Sequence, residues 1–144
     1  MAYSGKFSPK NCNKYLGDPT KIFYRSLWER RVMVHLDENP GVIEWSSEEI
    51  IIPYLSPVDN RVHRYFPDFF IRVKNKAGLL EGIILEVKPA AQTVPPKVAK
   101  RVTRKVIQEV MTYGINEAKW KAAVEYCKDR NWKFKVVTEK DLGI

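Results

Sequence analysis

Apolar positions first fall into a helical rhythm at Leu27, Trp28, Val32 and Leu36, with His35 on the same side, three and four residues apart. Ser26 is a good N-cap and Asn39-Pro40-Gly41 a stop, so the spacing predicts a helix over 26–39. Residues 43–45 then lead into Glu48-Glu49-Ile50-Ile51-Ile52, a first strand closed by Pro53. A loop over 56–60 carries Pro57 and Asp59. Two longer apolar runs follow, at 65–73 and 79–87, and read as strands paired through the turn Asn75-Lys76-Ala77-Gly78.

Beyond the third strand the pattern changes. Pro89, Pro95 and Pro96 mark 89–97 as an extended crossover or a mobile loop. A basic helix over 97–113 has the stripe Val98, Val102, Val106 and Val110, and Gly114 interrupts it. Asn116 caps a second helix over 117–130 that buries Trp120, Val124 and Cys127. Residues 134–137 form a short last strand, and Thr138 with Asp141 makes a helix start. The order α-β-β-β-α-α-β implies an α/β or α+β sandwich with a mixed sheet. Residues 1–24 lack a clear period but interleave Tyr3, Phe7, Tyr15, Phe23 and Tyr24 with four lysines. Such an arm either stacks on nucleic-acid bases or pins itself to the core with its aromatics.

Length adds that 144 residues make one domain, 1–144, with room for a real core. No apolar run approaches the ~20 residues of a membrane span, and no signal peptide opens the chain. Cys12 and Cys127 lack metal-ligand spacing and read as free thiols in a reducing cytoplasm. The net charge of +8 is unevenly placed: residues 97–135 carry 11 Lys/Arg against 4 Asp/Glu, while 37–86 carry 9 acids against 5 bases. A polyanion held by a basic flank and cut at an acidic metal site requires this split. A basic protein with solvated helix faces has it too.

The chemistry converges on two short motifs. Asp68 lies among large apolar groups in Phe66-Pro67-Asp68-Phe69-Phe70, where a carboxylate is costly unless paired or metal-bound. The plain alternative is a strand-end aspartate facing water. Glu86 and Lys88 share one strand face, with Val87 on the other. Alone, Glu86-Val87-Lys88 reads as a surface ion pair worth little. The apolar lead-in Gly82-Ile83-Ile84-Leu85 changes this, because a strand covered on both faces delivers Glu86 and Lys88 at the sheet end. Two hard oxygen ligands beside an ammonium suit Mg2+ and an anionic substrate, hence metal-dependent cleavage of a phosphodiester. Glu29 fits a capping box with Ser26, a purely structural role. His35 and His63 show no ligand or triad arrangement.

These residues resemble the PD-(D/E)xK nuclease superfamily: Glu29 on the first helix, Pro67-Asp68 on the second strand and Glu86-Val87-Lys88 on the third. The opening Met-Ala-Tyr-Ser-Gly-Lys, Tyr24-Arg25-Ser26-Leu27-Trp28-Glu29, Arg64-Tyr65-Phe66-Pro67-Asp68, Pro95-Pro96 and the tail 119–139 are similar to the head-completion nucleases of T-even-like phages. The core is also similar to the endonuclease subunit of heteromeric transposases. The resemblance implies a restriction-endonuclease-like core, a four-stranded mixed sheet flanked by helices. It implies Mg2+ (with Mn2+ able to substitute) on Asp68, Glu86 and the carbonyl of Val87. Lys88 would touch the attacking water and scissile phosphate, giving charge stabilisation rather than a neutral base. Glu29 would order water or a second metal, which overrides its reading as a cap alone. Lys97, Lys100, Arg101, Arg104 and Lys105 are the candidates for DNA phosphate contacts, with little base specificity. The implied setting is phage head completion after packaging, in the host cytoplasm or the virion, with the portal or other head-completion proteins as partners and no membrane. The alternatives are a structural DNA-end or portal-binding factor with a vestigial site, and a transposase subunit or junction resolvase. The oligomeric state is not legible.

Overall fold

The computed structural model describes residues 4–97 and 100–143. An N-terminal hairpin of β1 (Gly5–Phe7) and β2 (Ile22–Tyr24) precedes helix α1 (Leu27–Glu38). The strands β3 (Val42–Ser47), β4 (Ile52–Leu55), β5 (Val62–Tyr65), β6 (Phe69–Lys74) and β7 (Leu80–Val87) follow, then α2 (Arg104–Asp129) and β8 (Lys133–Val137). The central sheet has the order β3-β6-β7-β8, with β7 and β8 parallel and the other pairs antiparallel. β4 and β5 form a separate two-stranded ribbon. The mixed sheet is therefore as the pattern predicts, and its four strands are as the resemblance implies.

The sheet separates two cores. Phe69, Ile71 and Leu85 face one way, against Val32, Met33 and Leu36 of α1 and against Phe7, Tyr15 and Ile22. Phe70 and Ile84 face the other, against Ile52, Tyr54 and Tyr65 of the ribbon and Ala123 and Cys127 of α2. Both faces are thus covered, which is why Gly82-Ile83-Ile84-Leu85 reads as an unbroken apolar run. The N-terminal segment belongs to the core, since Phe7 and Tyr15 are buried. Backbone N–H groups of Lys10 and Asn11 donate to the buried Asp37 carboxylate at 2.8 and 3.0 Å. The Lys14 ammonium donates to the carbonyls of Leu36, Asp37 and Asn39 at 2.8–2.9 Å, filling all three of its donors at the C-terminal end of α1. Tyr3 lies outside the described residues.

Several boundaries differ from the pattern. The first strand is Val42–Ser47 rather than 48–52, because Glu48 takes φ 54° and turns the chain. Ile52 then starts a new strand in which Pro53 pairs with Arg64, as a ribbon with no third strand permits. The run 65–73 is two strands. Pro67 has no N–H for a ladder and restricts Phe66, so the chain leaves the ribbon at Tyr65 and enters the sheet at Phe69. The two late helices are one. Gly114 lies within α2, and Asn116 is buried inside the helix rather than capping one. Helix α2 starts later than the stripe suggests, with Thr103 as its N-cap, and Val98 of that stripe lies outside the described residues. Its buried face carries Ala123 and Cys127, while Val124 is exposed. His35 is exposed rather than packed, and residues 139–143 make only a turn. Cys12 and Cys127 are free thiols.

Candidate active site

Strand register builds the centre of the site. Phe70 pairs with Ile84 and Phe69 with Leu85, so one step further Asp68 lies opposite Glu86. Side-chain alternation then puts Asp68, Glu86 and Lys88 on the face that α2 and the ribbon cover, while Val87 packs into the opposite core. Hydrogen bonds fix the arrangement. The Val87 N–H donates to Asp68 Oδ2 at 2.7 Å, and the Lys88 N–H donates to the Val137 carbonyl at 2.9 Å, pinning the end of β7 to β8. The Asp68 carbonyl in turn accepts from Glu48 N–H at 3.1 Å. Glu86 is buried, and the Tyr65 hydroxyl donates to its Oε2 from the ribbon.

Burial and the neighbouring charge of Glu86 push the Asp68 carboxyl up to about 8, against the opposing Val87 N–H and Lys88 ammonium. Without a cation, burial and the facing carboxylate thus favour the protonated form of Asp68. Burial and the charge of Glu86 likewise push the Tyr65 phenol well above its ordinary value, so it remains a donor. Glu29 makes the capping contacts anticipated for it. Its N–H caps onto Ser26 Oγ at 3.2 Å, and its Oε2 accepts from Arg25 N–H at 3.0 Å. Burial, and after it the charge of Asp68, raise its pKa, opposed first by the Arg25 N–H bond and then by the charges of Arg25 and Lys88.

A cleft of about 490 Å3 opens over the strand ends, lined by Asp68, Glu86 and Lys88 together with Arg25, Glu48, Arg64, Tyr65, Phe66 and Lys119, whereas Glu29 is not among its lining residues. Arg25 Nη2 lies 3.3 Å from Glu48 Oε2 on the rim. Lys97, Lys100, Arg101, Arg104 and Lys105 are all exposed, but none lines this cleft. Lys97 instead borders a separate cavity of about 470 Å3 against Gln108, Tyr113 and Asn116. Pattern reading missed Tyr65, Glu48, Arg25, Arg64 and Lys119. Only Lys119 left a signal: it falls three residues after Asn116 and four before Ala123, in the buried row of α2.

The donor set fits a hard divalent cation. The part-buried Asp68 and the buried Glu86 face each other, and the raised pKa of Asp68 reflects a pair that favours a positive charge between its members. Among the described residues no third His, Cys, Asp or Glu completes a protein cage. That leaves coordination positions for backbone oxygen, water and substrate, as Mg2+ prefers.

A mixed sheet that carries a carboxylate pair and a lysine at one strand end, flanked by a helix on each face, is the restriction-endonuclease-like nuclease core. A family model described as "TnsA-like endonuclease N terminal" matches residues 39–139. The chain is also 40% identical over 146 residues to the "Head completion nuclease" of Enterobacteria phage T4, a match that covers 99% of this chain and 95% of that protein. The chain belongs to the TnsA-like endonuclease family. The family match includes Asp68, Glu86 and Lys88 but begins after Glu29, which only the full-length relative spans.

Proposed function

We propose that this protein is a Mg2+-dependent DNA endonuclease that processes packaged DNA during phage head completion. The observation that carries the reading is the register-matched Asp68–Glu86 pair, short of one positive charge and followed by Lys88. The near end-to-end likeness to a head completion nuclease supports the phage setting over a transposase subunit, whose likeness is to the endonuclease core alone.

Asp68 and Glu86, with the carbonyl of Val87, would hold the ion. The chemistry such an ion supplies is activation of the attacking water and stabilisation of negative charge on phosphate. The protein's own groups do the rest. Lys88 orients the scissile phosphate and offsets its developing charge. Glu29 orders the water from the α1 side. Tyr65 fixes the rotamer of Glu86, and Arg25 and Arg64 hold the DNA backbone at the rim. Among the described residues no base-reading element enters the cleft, so cutting follows DNA structure more than sequence. Linear, nicked, branched and supercoiled DNA, each incubated with Mg2+, with Mn2+ and with chelator, test the proposal. Metal-dependent cleavage of at least one form is expected, and inertness of all four in both metals would overturn it.

A further inference from the structure

Two lysines of this protein meet opposite fates. Lys14 fills all its donors with helix carbonyls. Lys119 is also half-buried, but among the described residues it forms no ion pair. Its ammonium sits 5.8 Å from the Tyr54 ring centre and 5.5 Å from that of Tyr65. Those rings hold the charge by cation–π attraction while leaving its N–H donors free. It faces the cleft, where the charges of Glu86 and Asp68 reach it but the oxygen of Glu86 nearest the ribbon is already taken by Tyr65. Lys88 repels it from the strand end. A partly desolvated ammonium with free donors, opposed by a second ammonium, is satisfied by an anion between them.

We propose that Lys119 is a phosphate-contacting residue, donating from the α2 wall to a non-bridging oxygen of the DNA phosphodiester in the cleft. This rests on the nuclease reading above and adds a cation that lies outside the Asp68, Glu86 and Lys88 motifs. The contact is electrostatic and sequence-independent, so it acts on every DNA that enters.

The test is equilibrium binding of a short fluorescent duplex over a salt series, in chelator and in Ca2+, for the wild type, Lys119→Met and Lys119→Arg. Methionine keeps the stem between the two tyrosine rings and removes the charge. Expected is a loss of about threefold or more in affinity and a log–log salt slope shallower by about 0.9, with arginine restoring both. Lys121→Met is the control: that side chain is exposed, pairs with Glu117 at 3.0 Å, and should leave the slope unchanged. A wild-type slope for Lys119→Met in both buffers, with only a lowered melting temperature, would mean a packing role and overturn the proposal. Should Lys119→Met not fold, Lys119→Gln is read the same way. A wild type that binds DNA but cuts none counts against the nuclease reading, while the slopes still decide the role of Lys119.

Discussion

Tyr65 donates its hydroxyl to Glu86 across two sheets: the tyrosine belongs to the ribbon and the glutamate to the central sheet. Removing that proton donor with Tyr65→Phe keeps the ring under Lys119 and in the core, and frees Glu86 to leave its rotamer. The expected loss in Mg2+ affinity is about 10–100-fold, the usual cost of an outer partner of a ligating carboxylate. Calorimetric titration with Mg2+ reads it, and an unchanged affinity would remove Tyr65 from the site.

Asp68 makes the metal-free protein less stable as pH rises. Its folded pKa of about 8 lies above the ordinary 3.8, so its stabilising proton is fully held below about 4 and is lost as pH climbs through about 8. The groups facing it are Glu86, Lys88 and Tyr65, with Glu29, Glu48 and Lys119 around them. Melting in chelator should therefore fall between pH 5 and pH 9 for the wild type and fall less for Asp68→Asn, which is also expected to bind DNA and not cut it. Parallel melting curves for the two proteins would refute this account of the pair.

Glu29 has a backbone task and a charge that Asp68 and Lys88 feel, and two substitutions separate them. Glu29→Gln keeps an oxygen for the Arg25 N–H and removes the charge, so α1 should be intact while cleavage falls about tenfold or more. Glu29→Ala loses the bond to the Arg25 N–H as well, while Ser26 still caps the residue-29 N–H, at a further cost of about 1 kcal/mol in denaturant unfolding. Wild-type cleavage by the glutamine variant would leave Glu29 a cap and nothing more.

Gly82 sits under Trp132, and a Cβ there would come within 2.6 Å of the indole nitrogen. Trp132 is wedged against Phe70, ring centres 4.5 Å apart, so it has little room to yield. Gly82→Ala should cost about 1–3 kcal/mol in urea unfolding. Cleavage per folded molecule should persist, since the site lies at the other end of β7.

Much of this site was legible because strand chemistry is local. Alternation alone put Glu86 and Lys88 on one face and Val87 on the other, and the unbroken apolar lead-in marked a strand covered twice. The break at Pro67 was hidden, since Tyr65 to Val73 is mostly apolar, with only Asp68 and Arg72 charged, and belongs to two sheets that one run of hydrophobicity cannot distinguish. Gly114 misled for the opposite reason: a glycine weakens a helix by about 1 kcal/mol, which packing of α2 on the ribbon and β8 readily outweighs. Glu48, Arg25 and Arg64 reach the cleft only through tertiary folding, and nothing in their immediate neighbours announces it.

The three residues Phe66-Pro67-Asp68 lead from the ribbon into β6, and among the described residues no ladder hydrogen bonds tie the ribbon to the central sheet. The ribbon is held in place by apolar packing under α2. Through that packing Tyr65, Arg64 and Phe66 come to line the cleft beside Asp68, Glu86 and Lys88. The shape of the site is therefore set as much by Ile52, Tyr54, Ala123 and Cys127, none of which lines it, as by the strand pairing that aligns its carboxylates.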